Sequence, residues 1–297
     1  MPTSAELKAM RRAIVISASG LGATSPNPPV GCVILDAGGR TVGEGYHLFK
    51  GSSHAEVNAL AAAGDRAEGG TAVVTLEPCN HIGLTPACHQ ALLDAGVTRV
   101  VIAVLDPTSR GEGGSERLRR AGVEVETHVL EKEALTVLGP WLASLTSHRP
   151  VLHLLRQTDA DGYPGALSEE AVAAIARQRQ VHDLVISEGL PPEEGRPGSH
   201  GKSVFRLPSG PLPDDPESAM AALAATGART VLLNGQSKLS EHLLAAGLVD
   251  QLTVYRPVPD PSCAVGPGAA SPLPDGYFLS GVTHADGQLV ITAERHR

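Results

Sequence analysis

A histidine at position 54, a Pro-Cys pair at 78–79 and a further cysteine at 88 constrain this chain more than any other feature, because they act together only if the fold brings them to one point. One imidazole and two thiolates are three good ligands for zinc that leave a fourth position open for water, as catalytic zinc sites require. Bound zinc lowers the pKa of that water toward neutrality, so hydroxide is available at pH 7. Glu56 lies two residues beyond His54, is not needed as a ligand, and can carry protons between the water and a leaving group. One zinc per chain is therefore expected on His54, Cys79 and Cys88, with Glu56 as the catalytic acid and base.

A His-x-Glu by itself carries no information, and two cysteines can be ordinary buried thiols. The ordered combination, with Pro78 directly before Cys79, is the arrangement of zinc-dependent deaminases, which remove an amino group from a heterocycle. Here eight residues separate the cysteines instead of the two of the nucleic-acid base deaminases. The rest of the chain narrows the partners. A net charge of −8 without a basic block argues against nucleic acid. Four cysteines, two of them assigned to metal, do not make a disulfide framework and point to a reducing, cytoplasmic setting. No apolar run approaches the roughly 18 residues of a membrane span. Arg11-Arg12 ahead of the apolar residues 13–18 imitates a short signal peptide, but Leu7, Met10, Ile14 and Val15 are spaced for one face of an amphipathic helix.

At 297 residues the length suits two domains. Residues 4–19 read as a helix, followed by Ser25-Pro26-Asn27-Pro28-Pro29, where three prolines in four residues fix a stiff loop able to present the Asn27 amide. Strands are expected over 31–35 and 41–46 as a hairpin, with Cys32 in the core and His47 just beyond. Residues 55–63 are strongly helical, which sets His54 and Glu56 at a helix N-terminus that favours an ionised Glu56. Strand 71–76, helix 86–95 and strand 97–105 follow, then helix 115–121, strand 123–126 and helix 131–145. Strands alternating with helices argue for an α/β sandwich on one mixed sheet. A boundary near 148 gives domains 1–148 and 149–297. The second is another α/β domain of weaker periodicity. Its strands are expected at 151–155, 183–187, 229–233, 250–255 and 288–292, and its helices at 168–180, 215–226 and 239–246. The Pro/Gly-rich stretches 190–202 and 257–276 read as loops.

The segments Thr24–Cys32 (TSPNPPVGC), Gly43–His47 (GEGYH), His54–Val57 (HAEV), Thr75–Cys79 (TLEPC), Thr85-Pro86 with Cys88, and Asp106-Pro107 closely resemble the deaminase half of the bacterial bifunctional riboflavin-pathway deaminase/reductases. The resemblance implies a cytidine-deaminase-like α/β/α sandwich followed by a dihydrofolate-reductase-like α/β domain. It implies zinc on His54, Cys79 and Cys88, a proton shuttle at Glu56, and substrate contacts from Asn27, His47 and Asp106. The implied substrate is a diaminopyrimidinone carrying a 5-phosphoribosylamino group, and a homodimer is plausible.

Two positions depart from that family. Leu84 stands where it usually has a basic residue for the substrate phosphate, and Thr108 follows Asp106-Pro107 where it usually has Asn. The departures leave open the same chemistry on another amino-heterocycle or amidine, and a third reading is a non-catalytic zinc scaffold. The second half resembles a degenerate reductase domain. Leu155 and Asp159 precede Asp161-Gly162 where Lys and Ser/Thr would fall, and Asn234-Gly235-Gln236 replaces Glu-Gly-Gly. NADPH is therefore not an expected cofactor of this half.

Overall fold

The computed structural model describes residues 1–80, 87–109, 111–159, 162–163, 165–199, 204–258, 273–285 and 287–295. The chain divides into two compact units, Met1–Leu142 and Ala143–Arg297.

The first unit is built on a five-stranded mixed sheet. Its strands are β1 (Gly31–Leu35), β2 (Thr41–Tyr46), β3 (Thr71–Leu76), β4 (Arg99–Val104) and β5 (Glu124–Glu126), in the order β2-β1-β3-β4-β5. β1 pairs antiparallel with both β2 and β3, whereas β3, β4 and β5 run parallel. The helices are α1 (Ser4–Ser17), α2 (Ala55–Ala63), α3 (Cys88–Asp94), α4 (Gly113–Arg120) and α5 (Glu131–Ser147). α1 opens with a capping box in which Glu6 N–H donates to Thr3 Oγ1 at 3.2 Å and Thr3 N–H donates to Glu6 Oε2 at 2.6 Å. Glu6 is also tied to Arg99 of β4 at 2.6 Å, and Arg99 reaches Glu124 and Glu126 of β5, so one guanidinium links helix and sheet.

Glycines on two neighbouring strands set where the helices lie. A Cβ at Gly31 would run into the Ala13 carbonyl of α1. Gly45, opposite Cys32 on the other face of the sheet, lets α2 approach so closely that a Cβ there would stand 2.6 Å from the Ala55 carbonyl. α1 and α2 therefore cover opposite faces, giving three layers. Cys32 is fully buried on the α2 face, where burial pushes its thiol pKa well up. It is a core residue.

The second unit holds β6 (Val151–Gln157), β7 (Leu184–Ser187), β8 (Glu193–Glu194), β9 (Thr230–Asn234), β10 (Gln251–Pro257), β11 (Tyr277–Ala285) and β12 (Gln288–Arg295), with α6 (Glu169–Arg179), α7 (Pro216–Thr226) and α8 (Lys238–Ala245). The seven strands lie in the order β11-β12-β10-β6-β9-β7-β8. β10, β6, β9 and β7 form a parallel core, and antiparallel strands close both edges. Leu152 and Leu154 of β6 pack on one face with residues of α7 and α8, and Leu155 packs on the other with Ala174 and Ile175 of α6. Two elements differ from expectation. Residues 193–194, read as loop, pair with β7, and β11 was not legible as a strand. Phe278, Leu279 and Val282 of β11 are all exposed, so it has no buried face to write an alternating pattern, and its structure comes from pairing with β12. Residues 200–202 and 259–272 of the expected loops lie outside the described residues.

The parallel core buries two histidines. His182 Nδ1 donates to the Gln178 carbonyl at 2.8 Å, which leaves His182 Nε2 as an acceptor for His153 Nδ1–H at 3.3 Å. His153 Nε2 then accepts from the Thr253 hydroxyl at 2.8 Å. Every ring nitrogen is satisfied only while both rings are neutral. Burial, with His182 adding to it, holds the His153 pKa down at about 3. Between there and the ordinary value near 6.5 the unfolded chain binds a proton that the folded chain does not, so stability rises with pH across that window. The contribution is fully present above pH 6.5 and is lost as pH falls, amounting to about 2 kcal/mol by pH 5. Urea unfolding of the wild type should therefore weaken between pH 7 and pH 5, and His153→Gln should flatten that slope. An unchanged slope in the variant would exclude His153 as its source.

Candidate metal and catalytic site

The site is assembled where two helices begin and one strand ends. His54 is the N-cap of α2, Cys79 follows the end of β3 by three residues, and Cys88 is the first residue of α3. His54 Nδ1 stands 3.2 Å from Cys88 Sγ and 3.6 Å from Cys79 Sγ, and the backbone N–H of Cys88 donates to Cys79 Sγ at 3.3 Å. The three ligand atoms lie within 4.8 Å of one another, the one such group among the described residues. Tetrahedral zinc with ordinary bond lengths separates a nitrogen and a sulfur ligand by about 3.6 Å, so this donor set fits that ion in both chemistry and span.

The electrostatics of the cluster are those of ligands ready to bind a cation. Hydrogen bonds from Cys88 and His54 hold the Cys79 thiol down at about 4, so it is a thiolate at neutral pH. Its hydrogen bond raises the pKa of His54, while Cys88, donating to Cys79 from a buried position, is pushed strongly up. Glu56, in the first turn of α2, is 3% exposed, and burial pushes its carboxyl up to about 7. This burial acts against the helix N-terminus, which favours the ionised form of Glu56.

Around this cluster the structure groups two of the three expected substrate contacts. His47 is buried, and its ring meets that of His54 edge-on at a centroid distance of 5.4 Å. Its Nδ1 donates to the Ser53 carbonyl at 3.2 Å, and its Nε2 faces Asn27 Nδ2 at 3.4 Å. Burial lowers its pKa, so the neutral ring accepts the Asn27 amide proton and leaves Asn27 Oδ1 available to a ligand. Asp106 lies beyond the end of β4. Its Oδ1 accepts both the backbone N–H of Thr108 at 2.8 Å and the Thr108 hydroxyl at 2.7 Å, closing a tight turn. Leu84, Thr85 and Pro86 lie outside the described residues.

Several supporting residues had no sequence signal. The indole N–H of Trp141, the chain's single tryptophan, donates to the Pro26 carbonyl at 3.2 Å and so holds the loop that carries Asn27. Thr75 Oγ1 accepts from Gly31 N–H at 3.1 Å, and His89 Nδ1 donates to the Cys79 carbonyl at 3.1 Å, bracing the ligand turn. These pairs join residues far apart in the chain or rely on side-chain direction, and no local pattern announces them.

The zinc-binding region of cytidine and deoxycytidylate deaminases matches residues 3–104. This half is a zinc-dependent aminohydrolase domain of the cytidine-deaminase type. The riboflavin biosynthesis protein RibD of Corynebacterium ammoniagenes is 35% identical over 286 residues, covering 84% of this chain and 85% of that protein. The chain belongs to the RibD family of riboflavin-biosynthesis proteins. RibD of Aquifex aeolicus is 44% identical over 154 residues, spanning 52% of this chain but only 43% of that protein. A diaminohydroxyphosphoribosylamino-pyrimidine deaminase of Buchnera aphidicola is 51% identical over 126 residues, 42% of this chain and 85% of that protein. A crystal structure of a deaminase/reductase from Thermotoga maritima shares the fold, with a TM-score of 0.78 at 24% identity over 98% of this chain and 99% of that one.

Zinc content checks the ligand set. The purified protein should carry one zinc, and Cys79→Ala and Cys88→Ala should each lose it together with activity, whereas Cys32→Ala should keep it. Full zinc in both of the first two variants would refute the assignment.

Proposed function

We propose that this chain hydrolyses an amino group from a 2,5-diamino-6-(5-phosphoribosylamino)pyrimidinone, releasing ammonia, and that its second half does not reduce the product. The observation that carries the first part is a buried carboxyl, Glu56, two residues from the histidine of a His-Cys-Cys cluster. A structural zinc site needs no such group, and burying one without a cation partner is costly unless it exchanges a proton. His54, Cys79 and Cys88 would hold a zinc ion, and that ion would supply an acidified water as the nucleophile. Glu56 would take the first proton of that water and pass it to the ring nitrogen, then carry the proton of the added hydroxyl to the amine, which leaves as ammonia as the ring carbonyl forms. The free Asn27 Oδ1 accepts an N–H of the pyrimidine, with His47 holding the amide in place, and Asp106 contacts the substrate with its remaining oxygen. The similarity to the Buchnera diaminohydroxyphosphoribosylamino-pyrimidine deaminase supports the diaminopyrimidine as substrate.

Leu84 favours a second reading, the same chemistry on an unphosphorylated amino-heterocycle, since an apolar residue cannot grip a phosphate. Comparing ammonia release from the phosphorylated and dephosphorylated diaminopyrimidines decides between them. A strong preference for phosphate sinks the second. Glu56→Gln should keep its zinc yet lose roughly 10²–10⁴-fold in turnover. Near-normal turnover would move the proton shuttle elsewhere.

For the 149–297 half, the reading is a domain kept for folding or for a cytoplasmic homodimer. Leu155 is fully buried in an apolar cluster with Val185 and Leu232. Asn234 Nδ2 is engaged by Ser187 Oγ at 3.2 Å, and Asp159 Oδ1 by Tyr163 N–H at 2.9 Å. None of these offers the cationic or glycine-rich donors that a dinucleotide phosphate requires. Calorimetric titration with NADPH should give no binding. Micromolar affinity together with ribose reduction would overturn this part.

A further inference from the structure

Glu77 precedes the Pro78-Cys79 ligand turn and is 6% exposed, yet no cation is paired with it among the described residues. Its two oxygens serve two different stretches of chain. Oε1 accepts from the Ser115 backbone N–H at 2.9 Å and from the Ser115 hydroxyl at 2.6 Å, at the start of α4. Oε2 accepts from the Asp106 backbone N–H at 3.2 Å and from the Ser109 hydroxyl at 3.3 Å. The backbone closes in around it. Gly113 has φ +75°, and a Cβ there would stand 2.5 Å from Oε1. A Cβ on Gly114 would collide with the Pro78 carbonyl. The two oxygens of this buried side chain meet four donors and the N-terminal end of α4.

We propose that Glu77 is a positioning residue that fixes the Asp106–Ser109 turn, and with it the Asp106 carboxylate, at a set distance from the metal-ligand turn. It touches neither metal nor substrate. One rigid carboxylate joins the segment that supplies Cys79 to the segment that supplies Asp106, so both are referenced to the same residue. The adjacent Asp106–Thr108 turn completes the fixing by holding the Asp106 side chain from the other end. This inference rests on the reading of Asp106 as a substrate contact.

Glu77→Gln is isosteric and tests it directly. The two backbone N–H groups of Asp106 and Ser115 both need an acceptor, and one amide oxygen can serve only one of them. In the zinc-loaded full-length protein, Glu77→Gln should raise KM for the diaminopyrimidine roughly ten- to a hundred-fold, retain one zinc, and leave kcat within about threefold. An unchanged KM, or loss of zinc, would overturn the proposal, the latter by making Glu77 a support of the metal alone. Should that variant not fold, Ser109→Ala removes one donor from the loop-side oxygen only and should raise KM by about threefold with zinc intact. No change there overturns the proposal equally. Hydrogen exchange separates this idea from the choice of substrate, since it needs none. Residues 105–109 should exchange faster in Glu77→Gln than in the wild type whatever heterocycle the enzyme accepts, and equal exchange would refute the positioning role.

Discussion

Bringing one imidazole and two thiols within 4.8 Å of one another, beside a buried carboxyl, is the requirement on which the first half of this molecule depends. Packing four ionisable groups this closely, with Cys88 and Glu56 buried, is unfavourable on its own. The surrounding fold compensates for that cost. The starts of α2 and α3 turn their positive ends toward the cluster, and the rigid end of β3 delivers Cys79 between them. The ligand turn is braced from behind by His89 on the Cys79 carbonyl and by α4 against Pro78. A metal site placed on element ends keeps its geometry because those ends belong to a buried sheet.

The close approach of α2 to β2 is what sets His54 and Glu56 at the correct depth. Gly45 carries no side chain because the α2 backbone occupies the space where one would be. A larger residue would lift the helix and withdraw its first turn from the cysteines. The same economy appears at the loop carrying Asn27, which Trp141 reaches from α5. The carboxylate of Glu77 plays the corresponding part on the other side, between the cysteine turn and the Asp106 turn.

The second half shows a different balance. Its parallel core is well packed on both faces, with Leu152, Leu154, Leu155 and Leu232 all fully buried. Part of the buried polarity there is spent on structure: Asp183 accepts from the Arg229 and Thr230 N–H groups, and Asp250 holds Arg149 and the Leu152 N–H, whereas Gln157 Oε1, Thr158 Oγ1 and Asn234 Oδ1 are buried without a partner among the described residues. A histidine pair locked in neutral tautomers adds to this, stable only where neither ring is charged.

What the sequence by itself determined was local or followed from chemistry that admits few solutions. The grouping of His54, Cys79 and Cys88 near Glu56 was legible because a zinc site would need those residue types in that order, and the helix over 55–63 because alanine-rich periodicity is a short-range signal. The strands of both sheets were legible from their own short-range apolar patterns, except β8 and β11. β11 has no buried face and β8 is only two residues long, so pairing with β12 and with β7 is what makes them strands. The tertiary structure alone decided that Glu56 is buried, with its carboxyl pushed up to about 7, since burial is a property of everything packed around it. It alone joined Trp141 to Pro26 across 115 positions, His153 to His182 across 29, and Glu77 to Ser115 across 38. Contacts at such separations depend on the path of the whole chain, and neither periodicity nor turn chemistry encodes that path at any one residue.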